Sequence, residues 1–211
     1  MKVIKPSFII ESNVDSEYML KHIEKAGRTA YKSEDKIDYD SAKKFVKKMM
    51  NFKHESVIEH YSITVRIICD RGVTHEIVRH RLASYTQEST RYVNYSKGKY
   101  NKEITVIEPI FWDTTTEEGK TKYKIWHSAM RFAEESYMDL LEAGATPQEA
   151  RSVLPNSLKT EIVMTMNLRS WRHFFELRCH KAAHPQMREI ALPMLKKFKE
   201  IVPVIFDDLI F

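Results

Sequence analysis

Hydrophobic and polar positions change their period several times along the chain. Residues 61–69 set Ile63, Val65 and Ile67 against Ser62, Thr64 and Arg66, the alternation of a half-buried strand. A second alternation, Ile162, Met164, Met166 and Leu168, predicts a strand over 160–168. Between them the period lengthens. Residues 115–143 carry Tyr123, Trp126, Met130, Ala133, Tyr137 and Leu141 on one helical stripe that stops at Gly144. Helical spacing also marks 15–31 (Leu20, Ile23) and 39–51 (Phe45, Met49), where Asp15, Ser16, Asp38, Asp40 and Ser41 offer capping side chains. A short helix is expected after Pro147, and further helices over 170–181 and 185–199. Asp70-Arg71-Gly72 reads as a turn, 73 to about 81 as a helix, 84–94 as a loop without period, and 104–107 as a strand before Pro109. Helices and strands interspersed without regular βαβ units predict an α+β fold: one domain over 1–211, a mainly antiparallel sheet flanked by helices.

Length and charge narrow the function. With 211 residues and 43% apolar content the chain can bury a sizeable core. Its 34 Lys and Arg against 29 Asp and Glu leave a mild basic excess, suited to phosphorylated small molecules rather than to packaging nucleic acid. Cys69 and Cys179 stand far apart with no CxxC, so neither a disulfide framework nor a zinc knuckle is expected. The beginning, Met1-Lys2-Val3-Ile4-Lys5-Pro6, lacks a signal-peptide core, and no segment has the length of uncharged residues needed to span a bilayer. A soluble, cytoplasmic protein without membrane contact is the expectation.

The densest chemistry lies in residues 79–91, where Arg79-His80-Arg81 is followed after seven residues by Ser89-Thr90-Arg91. Guanidinium groups grip phosphate bidentately and stay charged at any working pH. Read alone, this cluster could also be a solvated, nucleic-acid-facing surface. A second segment, His54-Glu55-Ser56-Val57-Ile58-Glu59-His60, is not a zinc-protease HExxH, because Ile58 stands where the second histidine belongs. On its residues it is equally a helix N-terminal cap. Further along come Ala150-Arg151-Ser152-Val153-Leu154-Pro155, then Asn167-Leu168-Arg169-Ser170, Leu177-Arg178 and His184-Pro185-Gln186. No metal site is expected.

These four landmarks, in this order, resemble the flavin-dependent thymidylate synthases over nearly the whole chain. The resemblance implies reductive methylation of deoxyuridine monophosphate (dUMP) at C5, with 5,10-methylenetetrahydrofolate as carbon donor, FAD as hydride carrier and NADPH as reductant. It implies a homotetramer with active sites at subunit interfaces. By position it assigns Glu76, Arg79, Gln87, Glu88, Ser89, Arg91, Arg151 and Arg178 to dUMP, with Arg178 catalytic against the pyrimidine and Arg91 and Arg151 on the phosphate. To FAD it assigns Ser56, Glu59, Arg79, His80, Arg81, Asn167, Arg169, His173 and His184. With five glycines and no GxGxxG, a Rossmann grip is excluded, so side chains must hold the flavin. Departures exist: Glu76 and Gln87-Glu88 exchange acids and amides relative to many members, Ala30 lacks a hydroxyl, and two extra residues precede His184.

Ser89 has no evident activating base, which favours positioning over nucleophilic attack. Both cysteines read as packing residues. Two rival readings come from other classes. Tyr85, Tyr92 and Tyr95 interleaved with the basic loop would suit an RNA-binding surface, and nine histidines a metal phosphohydrolase. A flavin absorption band separates the first reading from both.

Overall fold

In the computed structural model all 211 residues are described, the side chain of Lys99 excepted. The elements run β1 (Lys2–Ile4), β2 (Ser7–Ile10), α1 (Ser16–Arg28), α2 (Ser41–Asn51), β3 (Ser62–Asp70), α3 (Arg71–Ile77), β4 (Ala83–Gln87), β5 (Thr105–Ile107), α4 (Glu117–Glu142), α5 (Pro147–Ala150), β6 (Lys159–Asn167), α6 (Leu168–Arg178), α7 (Pro185–Ile201) and α8 (Pro203–Phe206). The fold is α+β, with a mainly antiparallel sheet of order β2-β3-β6-β4 and a separate parallel pair β1-β5. Packing divides the chain into two compact units woven from non-contiguous segments.

The first unit comprises 1–7, 67–79 and 86–162. The stripe on α4 packs as expected: Trp126, Met130 and Tyr137 bury against Tyr95, Ile104, Val106, Ala150 and Leu158. Thr116 caps α4 by accepting from the Gly119 N–H, and Thr146 with Glu149 closes a reciprocal capping box on α5. Such caps answer the unpaired N–H groups of a first turn and are worth about 1 kcal/mol each.

The second unit comprises 8–66, 80–85 and 163–211. Its core is aromatic. Trp171, Phe174 and Phe175 of α6 meet Phe198 of α7 and Phe206 of α8 with ring centroids 5.0–5.8 Å apart, mostly edge to face. The Trp171 indole N–H donates to the Ile63 carbonyl at 3.1 Å, so the largest buried ring also satisfies its polar atom. Arg172, almost wholly buried, is held by a two-pronged pair with Asp208 at 2.7 and 2.8 Å and by the Ile205 carbonyl.

Three expectations need correction. Of residues 84–94, read as loop, 84–87 belong to strand β4 (Ala83–Gln87), which the hydrophobic pattern missed because its inward positions Ala83, Tyr85 and Gln87 are not strongly apolar. The helix expected over 73–81 stops at Ile77, and Asp70 caps it by accepting from the Val73 N–H at 2.7 Å instead of making a turn. Glu55–His60 form a 3-10 helix at whose N-cap position His54 makes no capping bond, so the capping alternative fails. The short strands β1 and β2 have no counterpart in the predicted elements.

Candidate active site

In the second unit, the end of β6 and the start of α6 face the Arg-His-Arg turn. The Asn167 side chain caps α6 by accepting from the Ser170 N–H at 2.8 Å, fixing where that helix begins. From there Ser170, His173, Phe174 and Arg178 recur at helical spacing and share one face. Against that face sits His80, only 7% exposed. Its ring lies 4.9 Å from Phe174 and 6.1 Å from His173, its backbone carbonyl accepts from the Tyr85 hydroxyl at 2.7 Å, and its Nε2 accepts from Arg178 Nε at 2.8 Å.

That last bond fixes the chemistry of the ring. A nitrogen that accepts carries no proton, so His80 is neutral and its proton sits on Nδ1. Burial, then the charge of Arg178, then His173, lower its pKa to about 4. At neutral pH His80 is therefore a fixed acceptor that orients Arg178, not an acid.

Next to this pair is a cleft of about 190 Å³, lined by Glu59, His80, Arg81, Leu82, Asn167, Arg169, Ser170 and His173. Leu82 has φ +62° and is 83% exposed. A leucine held left-handed on the surface is costly, and here it carries the chain from His80-Arg81 into β4. Arg169 is paired with Glu59 at 2.5 Å and lies 3.9 Å from Glu55. Six residues assigned to flavin thus meet in one place: Glu59, His80, Arg81, Asn167, Arg169 and His173. The other three, Ser56, exposed on the 3-10 turn, Arg79, exposed just beyond α3, and His184, exposed at the start of α7, do not line this cleft.

The residues assigned to dUMP fall in the first unit, Arg178 apart. Arg91 and Arg151 are exposed, and Arg91 Nε donates to Gln148 Oε1 at 2.9 Å, tying its loop to the helix that Arg151 ends. The Ser89 hydroxyl accepts from the Arg91 N–H at 3.3 Å. Glu76 is half-buried at the end of α3, and Arg79 is exposed just beyond it. Gln87 and Glu88 are committed internally. The Gln87 amide donates to Thr74 and Thr160 at 3.2 and 3.3 Å, while Glu88 accepts from the Tyr95 hydroxyl at 3.3 Å and pairs with Lys159 at 3.1 Å. Burial alone would lower the Lys159 pKa, but hydrogen bonds and attraction from Glu161 and Glu88 hold it above the ordinary value.

Sequence reading missed Ser170 and Leu82 in the cleft, Tyr85 behind His80, and the partners Gln148 and Lys159. Ser170 stood inside a quoted landmark without a role, whereas Gln148 and Lys159 carry no signal beyond being polar. Another cleft of the second unit, about 650 Å³ between α2 and the segment that joins α1 to it, lies outside every landmark except His54.

The α+β fold thus carries exposed Arg91 and Arg151 on one unit and a histidine-arginine pair beside a polar cleft on the other, and guanidinium groups are the side chains best suited to gripping anionic groups. Residues 14–204 match the family described as thymidylate synthase complementing protein. Among curated relatives, flavin-dependent thymidylate synthases of Pyrococcus abyssi and Geobacter sulfurreducens are 35% and 34% identical, covering 81% and 82% of this chain and 69% and 72% of theirs. That of Corynebacterium glutamicum is 32% identical over 96% of this chain and 84% of its own. A crystal structure of a UMP/dUMP methylase from Streptomyces cacaoi bound with 5-Br dUMP shares the fold, with TM-score 0.81, 24% identity and coverage of 98% and 96%. The chain belongs to the thymidylate synthase complementing protein family.

Proposed function

We propose that the chain, acting as one domain over 1–211, is a flavin-dependent thymidylate synthase that methylates C5 of dUMP, with FAD, 5,10-methylenetetrahydrofolate and NADPH. The observation that carries this is the convergence of six flavin-assigned side chains from three separate stretches on one cleft beside the His80–Arg178 pair.

The donor set suits a flavin. Asn167, Ser170 and Arg169 offer hydrogen-bond donors to ring carbonyls and phosphates, and Arg81 adds a second guanidinium. At about 190 Å³ the cleft is below the roughly 300–1,000 Å³ of a complete ligand site, so it would hold part of the cofactor. This fits active sites assembled between subunits of a homotetramer. When bound, FAD supplies the hydride chemistry.

The chain's own residues would divide the remaining work. Exposed Arg91 and Arg151 would hold the dUMP phosphate, with Glu76, Arg79 and Ser89 positioning the nucleotide. Arg178, oriented by neutral His80, would donate to the pyrimidine and stabilise negative charge that builds on the ring as C5 becomes nucleophilic. Ser56, Glu59, Arg79, His80, Arg81, Asn167, Arg169, His173 and His184 remain the flavin set. The Glu59–Arg169 pair would open to release a guanidinium for phosphate. Gln87 and Glu88 would shape the nucleotide loop from inside it. We place the reaction in the cytoplasm, with no nucleic-acid or membrane partner.

The test is direct. Purified protein should carry a flavin absorption band, and adding dUMP and methylenetetrahydrofolate to the reduced enzyme should oxidise the flavin and yield thymidylate. A colourless protein that neither retains added FAD nor makes thymidylate refutes the reading.

A further inference from the structure

Glu55 stands inside the landmark of residues 54–60 yet has no part in the proposed reaction, and Arg172 lies on α6 beside Trp171 of the aromatic core. Both belong to a row of charges that alternate in sign and end at the flavin-assigned cleft. At the inner end Asp208 takes both terminal nitrogens of Arg172 at 2.7 and 2.8 Å, and the Ile205 carbonyl accepts from the same fork. Arg172 Nε faces Glu55 Oε1 at 3.4 Å, Glu55 Oε2 faces Arg169 Nε at 3.9 Å, and Arg169 Nη1 donates to Glu59 at 2.5 Å. The row joins two elements. Arg169 and Arg172, three apart, are neighbours on α6, and Glu55 and Glu59 come from the 3-10 turn.

Burial decides which end of the row opens. The Arg172 and Glu55 side chains are 3% and 21% exposed, against 52% for Arg169 and 41% for Glu59. Ion pairs in contact with water are screened and weak, so a ligand displaces Glu59 easily. A buried guanidinium stripped of its partners is costly, so the Arg172 end stays closed. An apolar side chain would fill position 172 without that cost, and what the arginine adds is a fixed positive charge behind Glu55. Glu55 in turn is attracted by two cations without being locked to either, since Arg172 Nε makes no hydrogen bond and the contact to Arg169 is too long for one.

We propose that Glu55, held by buried Arg172, is a positioning residue that retains Arg169 Nε at the cleft while the terminal nitrogens of Arg169 pass from Glu59 to an anionic group of the bound flavin. That the anionic group belongs to a flavin rests on the function proposed above; the arrangement of charges does not. A guanidinium anchored at Nε has its fork already aimed, so less freedom is lost when it meets the ligand. Charge alone predicts the opposite sign: an acid beside an anion site repels the anion, and removing it should tighten binding. Weaker binding without Glu55 is therefore the mark of positioning.

FAD titration, followed by flavin fluorescence, on the unaltered protein, Glu55→Gln, Arg169→Ala and the double variant tests this as a cycle. Glu55→Gln should raise the FAD dissociation constant about two- to fivefold, the range of one partly exposed ion pair, and leave the KM for dUMP at saturating FAD unchanged. Arg169→Ala should raise it about tenfold or more, and adding Glu55→Gln should then weaken binding no further, because no guanidinium remains to be positioned. Arg172→Met, in which half-exposed Asp208 can turn to water, should weaken FAD as Glu55→Gln does and add nothing in the Glu55→Gln background. Unchanged or tighter binding in Glu55→Gln overturns the proposal, as does an equal loss with and without Arg169, which would make Glu55 merely structural. An Arg172→Met protein that holds FAD normally overturns it too. If the unaltered protein binds no FAD, the proposed function fails, and the same cycle read with inorganic pyrophosphate decides the positioning role: coupling between Glu55 and Arg169 keeps it, and absence of coupling overturns it.

Discussion

His80 shows how one buried ring can set the properties of a site. Its neutral form is the one that accepts from Arg178, so protonation breaks the contact and places two cations together. The pH dependence follows from the sign of the shift. With a folded pKa of about 4 against about 6.5 unfolded, the unfolded chain binds more protons between those values. The contribution of His80 is complete above pH 6.5 and is lost as pH falls toward 4. His80→Gln keeps an acceptor that does not titrate, so the fall in melting temperature between pH 6.5 and 4 should be shallower than in the unaltered protein. An identical acid limb in both would mean that His80 is not buried neutral. The cysteines obey the same logic: burial raises both thiols, Cys179 to about 12 and Cys69 further, and thiolate is the reactive form. Iodoacetamide at pH 8 should label neither thiol in native protein and both after denaturation, and Cys69→Ala and Cys179→Ala should still make thymidylate.

At the scale of elements, packing depends on contacts that hydrophobic periodicity does not report. Gly27 in α1 is one: a Cβ there would come 2.7 Å from the Phe45 ring and 3.1 Å from Val57. Gly27→Ala should gain up to about 1 kcal/mol of helix propensity, yet overpacking of this kind costs about 1–3 kcal/mol. Net destabilisation in urea is expected, with displacement of Phe45 from under Arg28, whose guanidinium stands 5.0 Å over the ring. A more stable variant would show that the ring moves freely. Such details bear on what could be read in advance. The long helix α4 and strands β3 and β6 were legible because one face of each is buried against a continuous core, so their periods survive in the residues. Strand β4 was hidden because its inward side chains, Tyr85 and Gln87, are held by hydrogen bonds rather than by apolar burial. The flavin-assigned cleft was legible only through its arginines and histidines, as fixed charge is rare and conspicuous. The cleft beside α2 was not, because lysine and phenylalanine on an amphipathic helix look like an ordinary solvated face.

Across the whole molecule, most of the two sets of assigned residues separate by unit, with Arg79, assigned to both ligands, in the first. Ser89, Arg91 and Arg151 belong to the first, and Glu59, His80, Asn167, Arg169 and Arg178 to the second. If the separation is functional, ligand binding should be separable too. Arg91→Ala and Arg151→Ala should each leave flavin content unchanged and raise the dUMP concentration needed, losing roughly 1.5–3 kcal/mol for a charge-assisted hydrogen bond. Arg169→Ala should do the reverse, releasing flavin while dUMP still binds. Arg178 is the case that joins the two, because it contacts His80 at the cleft and is assigned to the pyrimidine. Its removal should lower kcat at saturating dUMP, since an interaction stronger in the transition state than in the ground state acts on turnover. Lysine at 178 should restore little, because it cannot donate to His80 and to the base in one planar fork. Flavin absorbance, dUMP titration and steady-state kinetics on the four alanine variants and Arg178→Lys would decide the matter. Normal turnover in Arg178→Ala at saturating dUMP would reduce that arginine to a binding contact, and leave the His80 pair without a catalytic purpose.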